Sequence, residues 1–382
     1  MRAAANGTRG EVIAALGSVV LGFAAAAGCG GNAQVAGSGG APAGPGTGAG
    51  VITGAGGGHT TTGSGATGGS GAGTTTQSQS STSTEGEKLG APYPVVLCHG
   101  FFGFEEFAGV DALPYFFNVP ERLAEDGEDL VFTPAVDPFN SSDFRADQLA
   151  AIVDEIVQET GHEKVILIGH SQGGLDARAV ASLRPDLVAA VVTVATPHQG
   201  SGVADIALGL TENPAAAKVI DDLVKLVAGP LYDAVGEETS IAKALHLFTA
   251  PGIEEFNQKY PDQQDVFYAS ITGRTDWSLG GQACAADVDL PWVTELKGDK
   301  DPCDALFVAF EGILDGKFGE DIPNDGLVQV ESAKWGEFWG CLPADHMDEV
   351  GQLMGDDPGL SNGFDHEEMF SQIVKELRKR GY

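Results

Sequence analysis

Val165-Ile166-Leu167-Ile168-Gly169-His170-Ser171-Gln172-Gly173-Gly174-Leu175-Asp176-Ala177-Arg178 runs from four aliphatic residues through a G-x-S-x-G pentapeptide into helix-forming sequence. Such an aliphatic run, bounded by glycine, describes a strand buried on both faces. Glycines at 169 and 173 suit a turn so tight that a side chain on either flank would collide with its neighbours. A serine at the apex is held in strained backbone geometry, with Oγ above the sheet and the next N–H aimed at the same point. In a chain with 55 glycines the pentapeptide alone would say little. Its place between strand and helix predicts a nucleophilic Ser171 and a serine hydrolase.

Outward from this motif, Tyr93-Pro94-Val95-Val96-Leu97-Cys98 predicts a short buried strand ending at His99-Gly100. Leu130-Val131-Phe132-Thr133 predicts a second, stopped by Pro134. From Ala146 to Val157 the apolar residues Leu149, Ile152, Val153, Ile156 and Val157 recur at helical spacing. Two more strands are expected at 187–194 and 266–271. Alternating strands and helices imply an α/β fold, a mostly parallel central sheet with helices on both faces. Ligands in such sheets sit beyond the carboxyl ends of the strands. His99, Ser171 and Thr196-Pro197-His198 each follow a strand directly, so all three fall on that edge. The region of about 203–250 carries no strong strand signal. Within it, Asn213-Pro214 opens a helix with one apolar face of Val219, Ile220, Leu223, Val224 and Val227. That face fits either a surface helix or a lid over an apolar cleft, and its place in the chain favours the lid.

A serine hydroxyl needs an imidazole to take its proton, and the imidazole needs a carboxylate to orient it. On this architecture the chain order is serine, acid, histidine. Four histidines follow Ser171. His198 comes too early, His246 lies in helical sequence inside the lid region, and His366 opens a C-terminal helix expected over 365–380 as a solvated first-turn residue. His346, in a loop before the last helices, is the chosen base. Asn324-Asp325-Gly326-Leu327-Val328 offers a turn and a following strand ahead of it, which favours Asp325 over Asp321 or Asp315 as the acid. The oxyanion needs two N–H donors. They are assigned to Gln172, directly after the nucleophile, and to Phe101 in His99-Gly100-Phe101-Phe102-Gly103.

The rest of the chain is of a different kind. Residues 1–28 carry Arg2 and Arg9, then an apolar stretch too short to cross a bilayer comfortably and suited to a signal-peptide core. It ends in Ala-Ala-Gly-Cys at Cys29, which resembles a lipoprotein cleavage site with Cys29 as the acylated residue, although Ala26 stands where leucine is usual. Residues 29–86, nearly all Gly, Ala, Ser and Thr, read as a flexible tether, leaving 87–382 as the catalytic domain. With Arg2, Arg9 and Glu11 set aside, 19 basic and 53 acidic residues remain. So acidic a surface argues against nucleic acid as a partner and favours solubility, divalent cations and the departure of an anionic product. An exported, cell-envelope or secreted location follows. Cys98, in an apolar run, reads as a buried free thiol. Cys284, Cys303 and Cys341 allow one bridge with three possible pairings, among which the sequence does not choose.

Five ordered motifs carry a resemblance: Tyr-Pro-Val-Val-Leu-Cys-His-Gly, Ile-Gly-His-Ser-Gln-Gly-Gly-Leu-Asp-Ala-Arg, Val-Ala-Thr-Pro-His-Gln-Gly-Ser, Asn-Asp-Gly-Leu-Val and His-Met-Asp-Glu-Val. Together, across roughly residues 91–380, the chain resembles the secreted bacterial triacylglycerol lipases of the Pseudomonas and Burkholderia type. The resemblance implies an α/β-hydrolase fold with a helical lid, hydrolysis of lipid esters at oil–water interfaces by a monomer, a membrane-bound foldase in many relatives, and one structural calcium. Carried over by position, the calcium ligands are Asp348, Gln352, the backbone carbonyl of Asp356, and Asp301. These are hard oxygen donors of the kind calcium takes. The family's disulfide is not reproduced, since Glu331 occupies one of its cysteine positions. The same triad would also serve a carboxylesterase, a polyester depolymerase or an acyltransferase. A tethered surface-binding module on a dead hydrolase fold is the alternative from another class.

Overall fold

A computed structural model describes residues 88–101, 114–204, 241–275, 283–304, 307, 314, 322–352, 358 and 362–382. The leader, the tether, Cys29, the Asn213-Pro214 helix with most of the lid region, Asp315, Asp321 and Asp356 lie outside them. In chain order the named elements are β1 (Val95–Cys98), α1 (Val119–Glu125), β2 (Val131–Phe132), α2 (Ser142–Thr160), β3 (Val165–His170), α3 (Gln172–Leu183) and β4 (Val188–Val194). They continue with α4 (Ile241–Leu247), α5 (Ala250–Lys259), β5 (Phe267–Arg274), α6 (Pro291–Glu295), α7 (Val330–Ala333), β6 (Glu337–Pro343) and α8 (His366–Lys379).

The six strands form one sheet in the order β2-β1-β3-β4-β5-β6, and every neighbouring pair is parallel. Side chains alternate across a strand, so the unbroken apolar runs feed two cores at once. Val95, Leu97, Ile166, Ile168, Ala190 and Val192 face one layer with Leu123 of α1 and Phe370, Ile373, Val374 and Leu377 of α8. Val96, Cys98, Val165, Leu167, Val188 and Val191 face the other with Leu149 and Val153 of α2 and Leu175 and Val180 of α3. Both faces are covered, as the pattern requires.

Boundaries differ from the expectations by a few residues, with three larger departures. β6 is unforeseen: Gly340 interrupts it at φ 124° and Pro343 ends it, so its composition argues against a strand. It forms because Phe338, Trp339 and Leu342 are buried and β5 supplies the partner. The segment after Asp325 turns into the short helix α7 rather than a strand. His366 is buried, and its Nε2 donates to the Phe117 carbonyl at 2.8 Å, so it ties α8 to the loop before α1 instead of facing solvent. The cap of that helix is Asp365, whose side chain accepts from the Glu368 amide. Cys284 and Cys341 form the bridge, fastening the segment before α6 to β6, while Cys98 is a buried free thiol and Cys303 is buried outside that bridge.

Candidate active site

The nucleophile turn is built by contacts that exclude side chains. A Cβ at Gly173 would lie 2.1 Å from the Cys98 carbonyl oxygen, and one at Gly169 would lie 2.4 Å from the Gly173 oxygen. Glycine therefore lets α3 begin directly against the ends of β1 and β3. Ser171 stands between them at φ 56°, ψ −127°, and its N–H donates to the Val194 carbonyl at 2.9 Å. A non-glycine residue at positive φ is strained, and here the sheet on one side and the helix on the other hold it in place.

Asp325 and His346 come together across 21 residues. His346 Nδ1 donates to Asp325 Oδ2 at 2.8 Å, and the His346 amide donates to the Asp325 carbonyl at 2.9 Å. The second carboxylate oxygen accepts the amides of Leu327 and Val328, so the wholly buried Asp325 is fixed at both oxygens. With Nδ1 donating, Nε2 keeps its lone pair. The His346 ring packs on that of His170, the residue preceding Ser171, at 4.6 Å between centroids. By contrast, His198 is enclosed: Arg178 donates to Nδ1 at 3.1 Å and Nε2 meets Thr193 Oγ1 at 2.9 Å.

The loop after β1 is held from below by Arg145 of α2. Its guanidinium donates to the carbonyls of His99 at 2.5 Å and Gly100 at 3.1 Å, and Nε donates to Asp176 Oδ2 of α3 at 2.7 Å. Two carbonyls turned toward Arg145 leave the next amide, that of Phe101, to face away from it. Gln172, at the first position of α3, has its side chain occupied by the Asn140 carbonyl at 2.8 Å. Burial lowers the His99 pKa to about 3, with Arg145 adding to the effect, so that imidazole is neutral. Neither Arg145 nor Asp176 announces itself in the sequence. Asp176→Ala is expected to cost about 3–5 kcal/mol of stability, because it strands a fully buried guanidinium without its carboxylate. Urea unfolding checks it, and a loss below about 1 kcal/mol would show that the pair is dispensable.

Residues 93–217 match the family model of the α/β-hydrolase fold. A triacylglycerol lipase of Vibrio cholerae is 35% identical over 269 residues, covering 69% of this chain and 81% of its own length. The chain belongs to the triacylglycerol lipase family. A second family member, from Pseudomonas fragi, is 28% identical over 310 residues, covering 77% of this chain and 99% of that one. Among solved structures, a metagenomic carboxyl esterase aligns with a TM-score of 0.51 at 18% identity, over 75% of this chain and 76% of its own, which speaks to the fold. As a member of this family the protein is a serine hydrolase of the lipase and esterase kind.

Beside the His346 loop of this lipase-family chain, three buried carboxylates converge. One oxygen from each of Asp301, Asp345 and Asp348 lies within 4.8 Å of the others. Asp301 Oδ2 is buried with no hydrogen-bond partner. Burial raises the Asp301 pKa to about 7, and Asp345 adds to the rise. Burial likewise takes Asp345 to about 6, and burial with repulsion from Asp345 and Asp301 takes Asp348 to about 9. Such crowding fits a divalent cation. Asp301 and Asp348 were expected there and Asp345 was not, though it immediately precedes His346. Gln352 lies on the same loop, and its Nε2 donates to the carbonyls of Pro114 and Tyr115, bonds that use the nitrogen and not the amide oxygen a cation would take. Asp356 lies outside the described residues.

Proposed function

We propose that this protein is a triacylglycerol lipase working through Ser171, His346 and Asp325. The pairing of His346 Nδ1 with the buried Asp325, on an imidazole packed against His170, the residue before a serine at φ 56°, is the observation that carries the reading. Ser171 Oγ attacks the ester carbonyl while His346 Nε2 takes its proton. Asp325 holds the tautomer and stabilises the imidazolium that forms. The amides of Phe101 and Gln172 receive the oxyanion. The imidazolium then gives its proton to the departing alcohol oxygen as the tetrahedral centre collapses to an acyl-enzyme. Water, deprotonated by the same imidazole, releases the fatty acid and regenerates the serine hydroxyl. The acidic surface disfavours return of that anionic product. Export and a lipid anchor at Cys29, with residues 29–86 as the tether, would set the domain near lipid interfaces.

Asp301, Asp345 and Asp348 are the residues that would hold calcium. The ion would supply charge neutralisation, and these side chains would in turn pin the loop that carries His346. Removing it with a chelator is expected to lower the thermal transition by roughly 4–8 °C, since an ion held only by the folded state stabilises it by mass action. Calorimetry with and without chelator, then with calcium restored, checks this. An unchanged transition in both arms would rule the ion out. Rates on emulsified long-chain triglyceride against soluble short-chain esters test the substrate. A preference for the soluble esters would move the assignment to carboxylesterase.

A further inference from the structure

Under the catalytic imidazole lies a second row of polar side chains that the reaction above does not use. Tyr115 hydroxyl and His170 Nδ1 are 2.7 Å apart, and His170 Nε2 and Glu349 Oε2 are 3.1 Å apart. His170 and Glu349 are each 1% exposed. Polar groups are costly to bury, and a hydrogen-bonded row across three separate segments is a specific arrangement rather than a packing filler. The fold makes room for it. A Cβ at Gly273 of β5 would come within 2.4 Å of Glu349 Oε1, and a Cβ at Gly100 would come within 2.6 Å of the Tyr115 hydroxyl.

Each end of the row touches a different part of the machinery. Tyr115 lies against Gly100 of the oxyanion loop, and Ser171 Cβ bounds the same space at that glycine. The middle member, His170, immediately precedes Ser171 and packs against His346 with the two rings tilted by 43°. Glu349 follows His346 by three residues and closes the row on the far side. Of the two ring nitrogens of His170, Nε2 meets Glu349 Oε2 and Nδ1 meets the Tyr115 hydroxyl, so a neutral ring donates at one end and accepts at the other. Burial, reinforced by His346, keeps the His170 ring neutral, which this arrangement of one donor and one acceptor requires.

We propose that Tyr115, His170 and Glu349 form a positioning relay that locks the oxyanion loop, the nucleophile turn and the His346 loop into one register. The proposal rests on the reading of Ser171, His346 and Asp325 as the triad. The three residues touch no reacting atom. They act by fixing the face of the His346 ring and the approach of Gly100, and a displacement of about 1 Å in such groups is worth on the order of 10²-fold in rate.

Three variants of the full chain test it: Tyr115→Phe, His170→Leu and His170→Gln, the last keeping a donor near the Nε2 position. Steady-state kinetics use a soluble p-nitrophenyl ester, and proton NMR follows the Nδ1 proton of His346. His170→Leu is expected to lower kcat by roughly 30–100-fold with KM within about twofold, and to shift or broaden that proton signal. Gln at 170 should restore most of kcat, and Tyr115→Phe should lower it about 5–10-fold. A kcat within about twofold of the parent in folded His170→Leu overturns the relay. So does equal loss in the Gln and Leu variants, which would mark a purely structural ring. Should His170→Leu fail to fold, Tyr115→Phe decides, because it deletes one oxygen and keeps the ring. Fluorophosphonate labelling at Ser171 in the parent separates the two levels. Labelling with unchanged variants defeats the relay alone, while absence of labelling defeats the triad reading beneath it.

Discussion

Ser171→Ala is expected to lower kcat on any ester by about 10⁴–10⁶-fold while leaving the thermal transition within a few degrees of the parent. The size follows from what the site loses. Without Oγ no acyl-enzyme forms, and the only remaining catalysis is attack by water aided by the oxyanion donors. The fold should survive because Oγ contributes nothing to the turn itself. The backbone at 171 is held by its N–H on the Val194 carbonyl and by the approach of Gly173 to Cys98. Alanine accepts the same positive φ as serine, with the same Cβ strain. Stopped-flow or long-time-course assays on p-nitrophenyl esters measure the loss, and calorimetry measures the fold. Activity within tenfold of the parent would place the nucleophile elsewhere.

What could be foreseen from the chain is what is local. The strand, turn and helix around Ser171 are contiguous, and their glycines encode contacts that any such turn must make. Aliphatic runs sufficed for β3 and β4, whose every residue is buried. That Asp325 and His346 would meet was legible through chain order, because the sheet's connectivity fixes which loop follows which. Other non-local contacts were hidden. Glu337-Phe338-Trp339-Gly340-Cys341-Leu342-Pro343 has neither β-branched residues nor alternation, and only the vacant edge of β5 makes it a strand. Partner choice for Cys341 depended on that unseen strand. Arg145 reads as a polar residue near the start of a helix until Asp176 and two carbonyls surround it, 31 and about 45 residues away. The relay residues belong to three separate segments whose meeting only the folded chain displays. His366 sits in the first turn of an amphipathic helix, where solvent exposure is the default, yet the Phe117 carbonyl claims it.

The second large effect is expected of Asp325→Asn, a loss of about 10⁴ in kcat with little change in KM or stability. The carboxylate accepts at both oxygens, one from His346 Nδ1 and the other from the Leu327 and Val328 amides. An asparagine amide has one oxygen to offer. The two fixed backbone donors claim it, turning the NH2 group toward His346. Facing a donor, the imidazole moves its proton from Nδ1 to Nε2. Nε2 then has no lone pair for the Ser171 proton, so the machinery is geometrically intact and chemically reversed. The histidine loop itself should hold, since the His346 amide bonds to the Asp325 backbone carbonyl and not to its side chain. Proton NMR should lose the Nδ1 signal in this variant, and unfolding midpoints should stay close to the parent's. Retention of more than about a tenth of kcat would show that the carboxylate orients the ring without setting its tautomer.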